Sequence, residues 1–248
     1  MPDSKHPPAR ETWRQWLILH RHAVTMIALA TLILGETLRP DTSDVSWVSD
    51  LLLSIVIMAS TYDVLIRHRR FTMVLLAALP AFVMIWFIRY LDEFREGETA
   101  AGWYLARNVL MILFLAYIIY VIGRDVFKAK RVTTDQILGG ISVYLLLGLS
   151  WALAYLSVVM TDPDAIAFTS PLDELPGHRM AVLIYYSFVT MTTLGFGDIL
   201  PISNLARTLT WAEAVTGQLY IAVTMAKLVG LRLVHLTESR ESNRSETI

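Results

Sequence analysis

The sequence predicts an all-α membrane fold: six transmembrane helices, one shorter re-entrant helix, and an extended Gly-rich segment after it. Three observations predict this. The chain is 55% hydrophobic and only 17% charged, below the roughly 25% usual for soluble domains, and its mean hydropathy is +0.51. Its apolar runs approach the about 20 residues that a helix needs to cross the hydrocarbon core. Its basic and acidic clusters gather in the connecting stretches and alternate in sign along the chain.

The first four runs cover 16–38, 47–66, 72–91 and 101–122, the fifth 136–160 and the last 206–234. Between the last two lies a shorter apolar segment, 180–193. At about 1.5 Å rise per residue it is too short to cross as a helix, so it reads as re-entrant. Lys5, Arg10, Arg14 and Arg21 precede or open the first run. Arg67, His68, Arg69 and Arg70 follow the second, and Arg124, Lys128, Lys130 and Arg131 follow the fourth. The intervening loops carry Asp41 and Asp44, then Asp92, Glu93, Glu96 and Glu98. The positive-inside rule places the N-terminus in the cytoplasm. Six crossings return the C-terminus to that side, and the re-entrant segment enters from outside. The first run reads as a span rather than a cleaved leader, because His20-Arg21-His22 interrupts it and its hydrophobicity continues past Ala30.

The expected organisation is a cytoplasmic segment over 1–15, four peripheral helices over 16–123, a cytoplasmic linker over 124–135, a helix–loop–helix unit over 136–234 and a polar tail over 235–248. Phe127 among basic residues points to a short amphipathic helix on the inner leaflet. Thr133 with Gln136 is a capping-box pattern that starts the fifth helix. The tail "HLTESRESNRSETI" reads as disordered and too short for a ligand-binding domain. Trp16, Trp47, Trp86 and Trp103 stand near span ends, as interfacial anchors do.

Composition excludes several chemistries. There are no cysteines, hence no disulfide, thiolate metal site or cysteine nucleophile. A net charge of −1 gives no basic footprint for nucleic acid. No nucleotide loop, zinc motif or nucleophile triad is present, so neither an enzyme nor a cofactor is expected. His20 and His22, two apart on a helix, point to different faces and make a poor metal pair. His178, just before the short helix, reads as an exposed histidine or a tuner of pH response.

The informative stretch is "YYSFVTMTTLGFGDILP", residues 185–201. Irregular backbone at membrane depth survives only where protein buries it or where it lines a watery cavity. An extended chain that turns its carbonyls to one axis can replace the hydration shell of a cation. Residues on both sides of the usual backbone map must then alternate, which Gly195 and Gly197 permit because they lack Cβ. The C-terminal dipole of the preceding helix, over 179–192, would favour a cation at its end.

This stretch, flanked by two spans, resembles the pore segment of the tetrameric potassium channel family, usually written T-V-G-Y-G-D and here Thr193-Leu194-Gly195-Phe196-Gly197-Asp198. The resemblance covers the chain from the fifth span onward. The first four spans resemble the family in number and topology alone. It implies potassium held by the carbonyls of Thr193, Leu194, Gly195 and Phe196 and by the hydroxyl of Thr193. It also implies three further identical subunits around the path. Asp198, Tyr185, Tyr186 and Thr192 would support this filter, with Tyr186 at the position that bonds the acid. Phe196 and Leu194 depart from the commoner tyrosine and valine, which puts filter stability in question. Gly217 stands where the family's inner-helix hinge glycine sits. A close-packing role is the equal alternative. Leu228 or Leu231 could close the inner mouth by dewetting.

The expectation is therefore a potassium-selective, homotetrameric channel of a plasma (inner) membrane. The fourth span holds only Arg107 before Arg124. One charge across 100 mV is worth about 2.3 kcal/mol and steep sensors use three or four, so strong voltage gating is not expected. Arg107 is expected to pair with Glu36 or Asp50, and Asp63 with a basic linker residue. A weakly selective cation pore is one alternative. A non-conducting protein or transporter is another, although inverted repeats and buried midplane acids are not read. A cytosolic regulator remains open.

Overall fold

The computed structural model describes residues 21–38, 46–67, 71–94, 101–129, 133–169 and 179–245. Seven α-helices lie in these segments: α1 Arg21–Thr37, α2 Ser46–Arg67, α3 Phe71–Phe94, α4 Ala101–Lys128, α5 Thr134–Thr161, α6 Arg179–Met191 and α7 Asn204–Ser245. Four stretches, Trp47–Leu65, Gly102–Lys128, Thr134–Thr161 and Asn204–Leu231, are long and apolar enough to cross a membrane. His22–Thr37 and Leu76–Leu91, the other two expected spans, are shorter among the described residues. His20, His178, Trp16, Asp41, Asp44, Glu96 and Glu98 lie outside the described segments, while Asp92 and Glu93 fall in the last turn of α3.

Two elements differ from expectation. Residues 124–128 continue α4 rather than forming a separate surface helix, and the ring of Phe127 meets the edge of Tyr220 at 6.5 Å. The tail is helical through Ser245. Extending a helix adds one hydrogen bond per residue fixed, without the nucleation cost, so a polar sequence can follow a long apolar helix. The expected capping box is present: Thr133 N–H donates to Gln136 Oε1 at 3.1 Å, and Gln136 N–H to Thr133 Oγ1 at 3.3 Å.

Packing follows the chain. α1 lies on α2, α2 on α3, α3 on α4, and α4 on α5, while α1 also reaches α5 and α6. One apolar core runs through the whole, with Leu29, Ile85, Phe114, Ile118, Leu146, Leu149 and Leu183 fully buried. One polar joint beside it is centred on His22. Nδ1 of His22 lies 2.7 Å from Asp63 Oδ2, and Thr25 Oγ1 donates to the same oxygen at 3.3 Å. His22 N–H donates to Asp135 Oδ1 at 3.3 Å, and Ser142 Oγ donates to the His22 carbonyl at 3.4 Å. Asp63 therefore faces the α1 histidine; Lys130 and Arg131, two of the basic linker residues it was expected to meet, lie outside the described residues. The histidine ties α1 and α2 to the first turns of α5. Arg107 lies 3.7 Å from Asp50, one of its two expected partners.

The chain is not wholly helical. A short 3-10 turn, Pro163–Ala165, leads into β1 Ile166–Phe168, which pairs antiparallel with β2 Ile199–Pro201. Ala167 faces Leu200 in that register. This ribbon joins the C-terminal end of α5 to the chain entering α7.

Candidate functional site

Residues 193–197 are positioned by α6, and α6 is wedged between α5 and α7. Glycine sets the spacing on both sides. A Cβ at Gly148 of α5 would lie 2.7 Å from the Phe188 ring, and one at Gly217 of α7 would lie 2.7 Å from the Met191 carbonyl oxygen. Small residues allow membrane helices this close an approach. Gly217 makes the close contact expected of a packing site, and α7 runs helical through it. The Gln218 side-chain amide also donates to the Met191 carbonyl, at 3.2 Å.

α6 ends at Met191, one residue short of the expected boundary. Its last turn closes as a Schellman motif: Leu194 N–H donates to the Val189 carbonyl and Thr193 N–H to the Thr190 carbonyl, each at 2.9 Å. Such a motif needs a left-handed residue, usually glycine. Thr193 fills that place with φ +58°. For a β-branched residue this is an outlier of about 1–3 kcal/mol, of a kind that gathers at functional sites. Thr192 Oγ1 donates to the Phe188 carbonyl at 2.6 Å and Thr193 Oγ1 to the Thr192 carbonyl at 2.7 Å.

Positive φ then recurs at Gly195 (+55°) and Gly197 (+80°). A Cβ on either glycine would meet nothing within 4 Å. Conformation, and not space, is what calls for glycine there. Leu194 and Phe196 lie between, 57% and 65% exposed in the single chain.

Asp198 organises the end of this stretch. Tyr185 Oη donates to its Oδ2 at 2.7 Å, and Ile199 N–H to its Oδ1 at 3.1 Å. The hydroxyl on Asp198 is thus that of Tyr185, where Tyr186 was expected. Neighbouring residues point about 100° apart around a helix. That turn sends Tyr186 the other way, to Thr210 Oγ1 at 2.8 Å and onto the Tyr155 ring at 4.9 Å. Phe196 has no hydroxyl, and its ring stacks parallel to Tyr185 with centroids 6.5 Å apart. The Asp198 carbonyl accepts from Thr169 N–H at 3.0 Å and Thr169 Oγ1 at 2.6 Å. The Ala165 carbonyl accepts from Ile202 and Ser203, and the Pro201 carbonyl from Arg207 Nε.

The sequence reading passed over three residues here. No buried midplane acid was expected, yet Glu213 of α7 is fully buried. Its Oε2 accepts from Tyr155 Oη at 2.5 Å, and its Oε1 lies 2.5 Å from Ser187 Oγ. These partners are hydroxyls on α5 and α6, so the acid faces packed helices. The available signal was a lone acid within an apolar span, which is functional by default. Leu228 and Leu231 are half-buried toward the end of the apolar stretch Asn204–Leu231 of α7.

The face of α7 away from α6 carries Trp211, Val215 and Leu219, each about half exposed or more. Of its apolar stretch only 6% is buried within the chain, against 50% for α5.

Comparison with known proteins agrees with this location. Residues 164–231 match a family model described as "Ion channel". Two pore potassium channel a of Oryza sativa subsp. japonica is 26% identical over 122 residues, which is 48% of this chain and 29% of that protein. The chain therefore spans less than a third of that relative. No solved structure matches it. The family match and the plant relative are both channels, and together with the long apolar helices they support a membrane ion channel of potassium-channel-like type and not an enzyme.

Proposed function

We propose that four copies of this chain form a potassium-selective channel in a plasma membrane, with residues 193–197 of each lining the ion path. The alternation of positive φ at Thr193, Gly195 and Gly197 carries the reading. Alternating backbone hand turns successive carbonyls toward a common side, where rings of them replace ion hydration. The C-terminal end of α6 adds partial negative charge. One chain supplies one side of such a ring, and the uncovered faces of Leu194, Phe196 and α7 supply apolar surface for neighbours. The termini are cytoplasmic and the helices number six across the bilayer in this reading. Helices α1–α4 form a periphery in which Arg107, beside Asp50, is too little charge for a steep sensor.

Purified protein in planar bilayers under a potassium/sodium gradient tests this. The expected reversal potential lies close to that of potassium. Equal permeability of the two cations replaces selectivity with a general cation pore, which the absent Phe196 hydroxyl would favour. An assembly without fourfold symmetry removes the carbonyl-ring argument.

A further inference from the structure

We infer that Glu213 is a neutral carboxylic acid that positions α6, and through it residues 193–197, by passing hydrogen bonds between α7, α6 and α5. The inference deepens the channel reading and rests on it.

Three rungs join α7 to α6 in the same chain direction. Tyr186 bonds Thr210, Ser187 meets Glu213, and Met191 receives Gly217. Glu213 and Gly217 are one helical turn apart, as are Ser187 and Met191, so the contacts repeat with the helix. Glu213 is the polar rung at the centre. Ser187, Tyr155 and Glu213 are all buried, at 0% exposure.

Counting protons assigns the state. Ser187 Oγ lies 2.5 Å from Glu213 Oε1 and 2.8 Å from the Gly148 carbonyl oxygen. A serine hydroxyl has one proton and can donate to only one of them. With Glu213 ionised, one of these short oxygen–oxygen contacts has no proton in it. With Glu213 protonated on Oε1, it donates to Ser187, Ser187 donates to Gly148, and Tyr155 donates to Oε2. Every contact is then a hydrogen bond. No Lys or Arg among the described residues forms an ion pair with Glu213. Burying an isolated carboxylate is far costlier than burying a hydrogen-bonded acid. The other titratable groups near enough to feel its charge are Tyr144 on α5 and Tyr186 on α6.

The consequence reaches the ion path because Ser187 lies one turn before Met191, where the last turn of α6 leads into strained Thr193. Losing the rung frees α6 to rotate between its glycine contacts. The proton on Glu213 is thus a structural part of the path's support.

The test compares Glu213→Gln and Glu213→Ala in the full-length protein reconstituted in liposomes. Glutamine keeps a donor toward Ser187 and an acceptor for Tyr155. It is expected to leave potassium flux and the potassium/sodium permeability ratio within about twofold of wild type. Alanine takes the acceptor from the buried Tyr155 hydroxyl and leaves Ser187 joined to the Gly148 carbonyl alone, and is expected to lower flux about tenfold or more. Infrared difference spectra of wild type against Glu213→Gln, at neutral pH in light and heavy water, read the proton directly. A carbonyl stretch of a protonated acid, present only in wild type and shifted in heavy water, is expected. Absence of that band overturns the inference, as does a Glu213→Gln protein as impaired as Glu213→Ala. An alanine variant that fails to fold leaves glutamine and the infrared band to decide. Wild-type protein that passes no potassium counts against the channel reading, and the infrared comparison then decides for Glu213 alone.

Discussion

Replacing Gly217 with alanine separates two roles by sign. As a bend point, the glycine weakens α7, and alanine would stabilise the helix by about 1 kcal/mol. As a packing site, it admits the backbone of α6. The added Cβ would sit 2.7 Å from the Met191 carbonyl oxygen, 3.1 Å from its Cα and 3.2 Å from its Cβ. Ordinary contact begins near 3.4 Å, so α6 and α7 must part by roughly 0.7 Å, and two of the three obstructing atoms are backbone. Overpacking of this kind costs about 1–3 kcal/mol. Set against the helix gain, the expected net effect is a loss of up to about 2 kcal/mol. Thermal unfolding of detergent-solubilised Gly217→Ala against wild type measures it, with potassium flux in parallel. A lower melting temperature and reduced flux are expected, because the displaced carbonyl lies two residues before Thr193. A higher melting temperature, with slowed opening and unchanged flux through open channels, would refute the packing argument.

Two further outcomes follow from single contacts. Tyr185→Phe removes the donor to Asp198 at 2.7 Å while keeping the ring that stacks on Phe196. A loss of about 0.5–1.5 kcal/mol is expected, read as faster decay of current during sustained opening with an unchanged reversal potential; unchanged decay would deny Asp198 its supporting role. His22→Ala deletes the joint between Asp63 and Asp135 and leaves Asp63, a buried carboxylate, without this partner. Destabilisation of about 1–3 kcal/mol is expected in thermal unfolding, and a melting temperature equal to wild type would show that the joint carries no weight.

How much the sequence disclosed depends on the kind of constraint. The stretch at 193–197 was legible because positive φ demands glycine, and glycines two apart inside an apolar region have few other uses. The same logic hid Thr193, whose branched side chain argues against the left-handed conformation it adopts. The capping box at Thr133 was readable because it is local. Which tyrosine meets Asp198 was not, because it depends on how α6 is rotated against α5 and α7. Glu213 went unnoticed since its partners are 58 and 26 residues away along the chain. The ribbon of β1 and β2 was equally invisible, three residues on each side being too short for a periodic pattern to register.

That ribbon has a mechanical corollary. It pins the N-terminal end of α7, because Ile202 and Ser203 are bonded to Ala165 and Arg207 to Pro201. A rigid rod most firmly tied at one end acts as a lever against its weaker ties. The stretch Asn204–Leu231 has 28 residues and so extends about 42 Å. A tilt of about 10° about the pinned end carries its far end through about 7 Å, while the N-terminal end stays nearly still. Small rotations are therefore amplified along the rod toward Leu231, against the bonds of Tyr220 Oη to the Gly140 carbonyl and of Lys227 Nζ to the Val126 carbonyl, and the fulcrum lies beside residues 193–197.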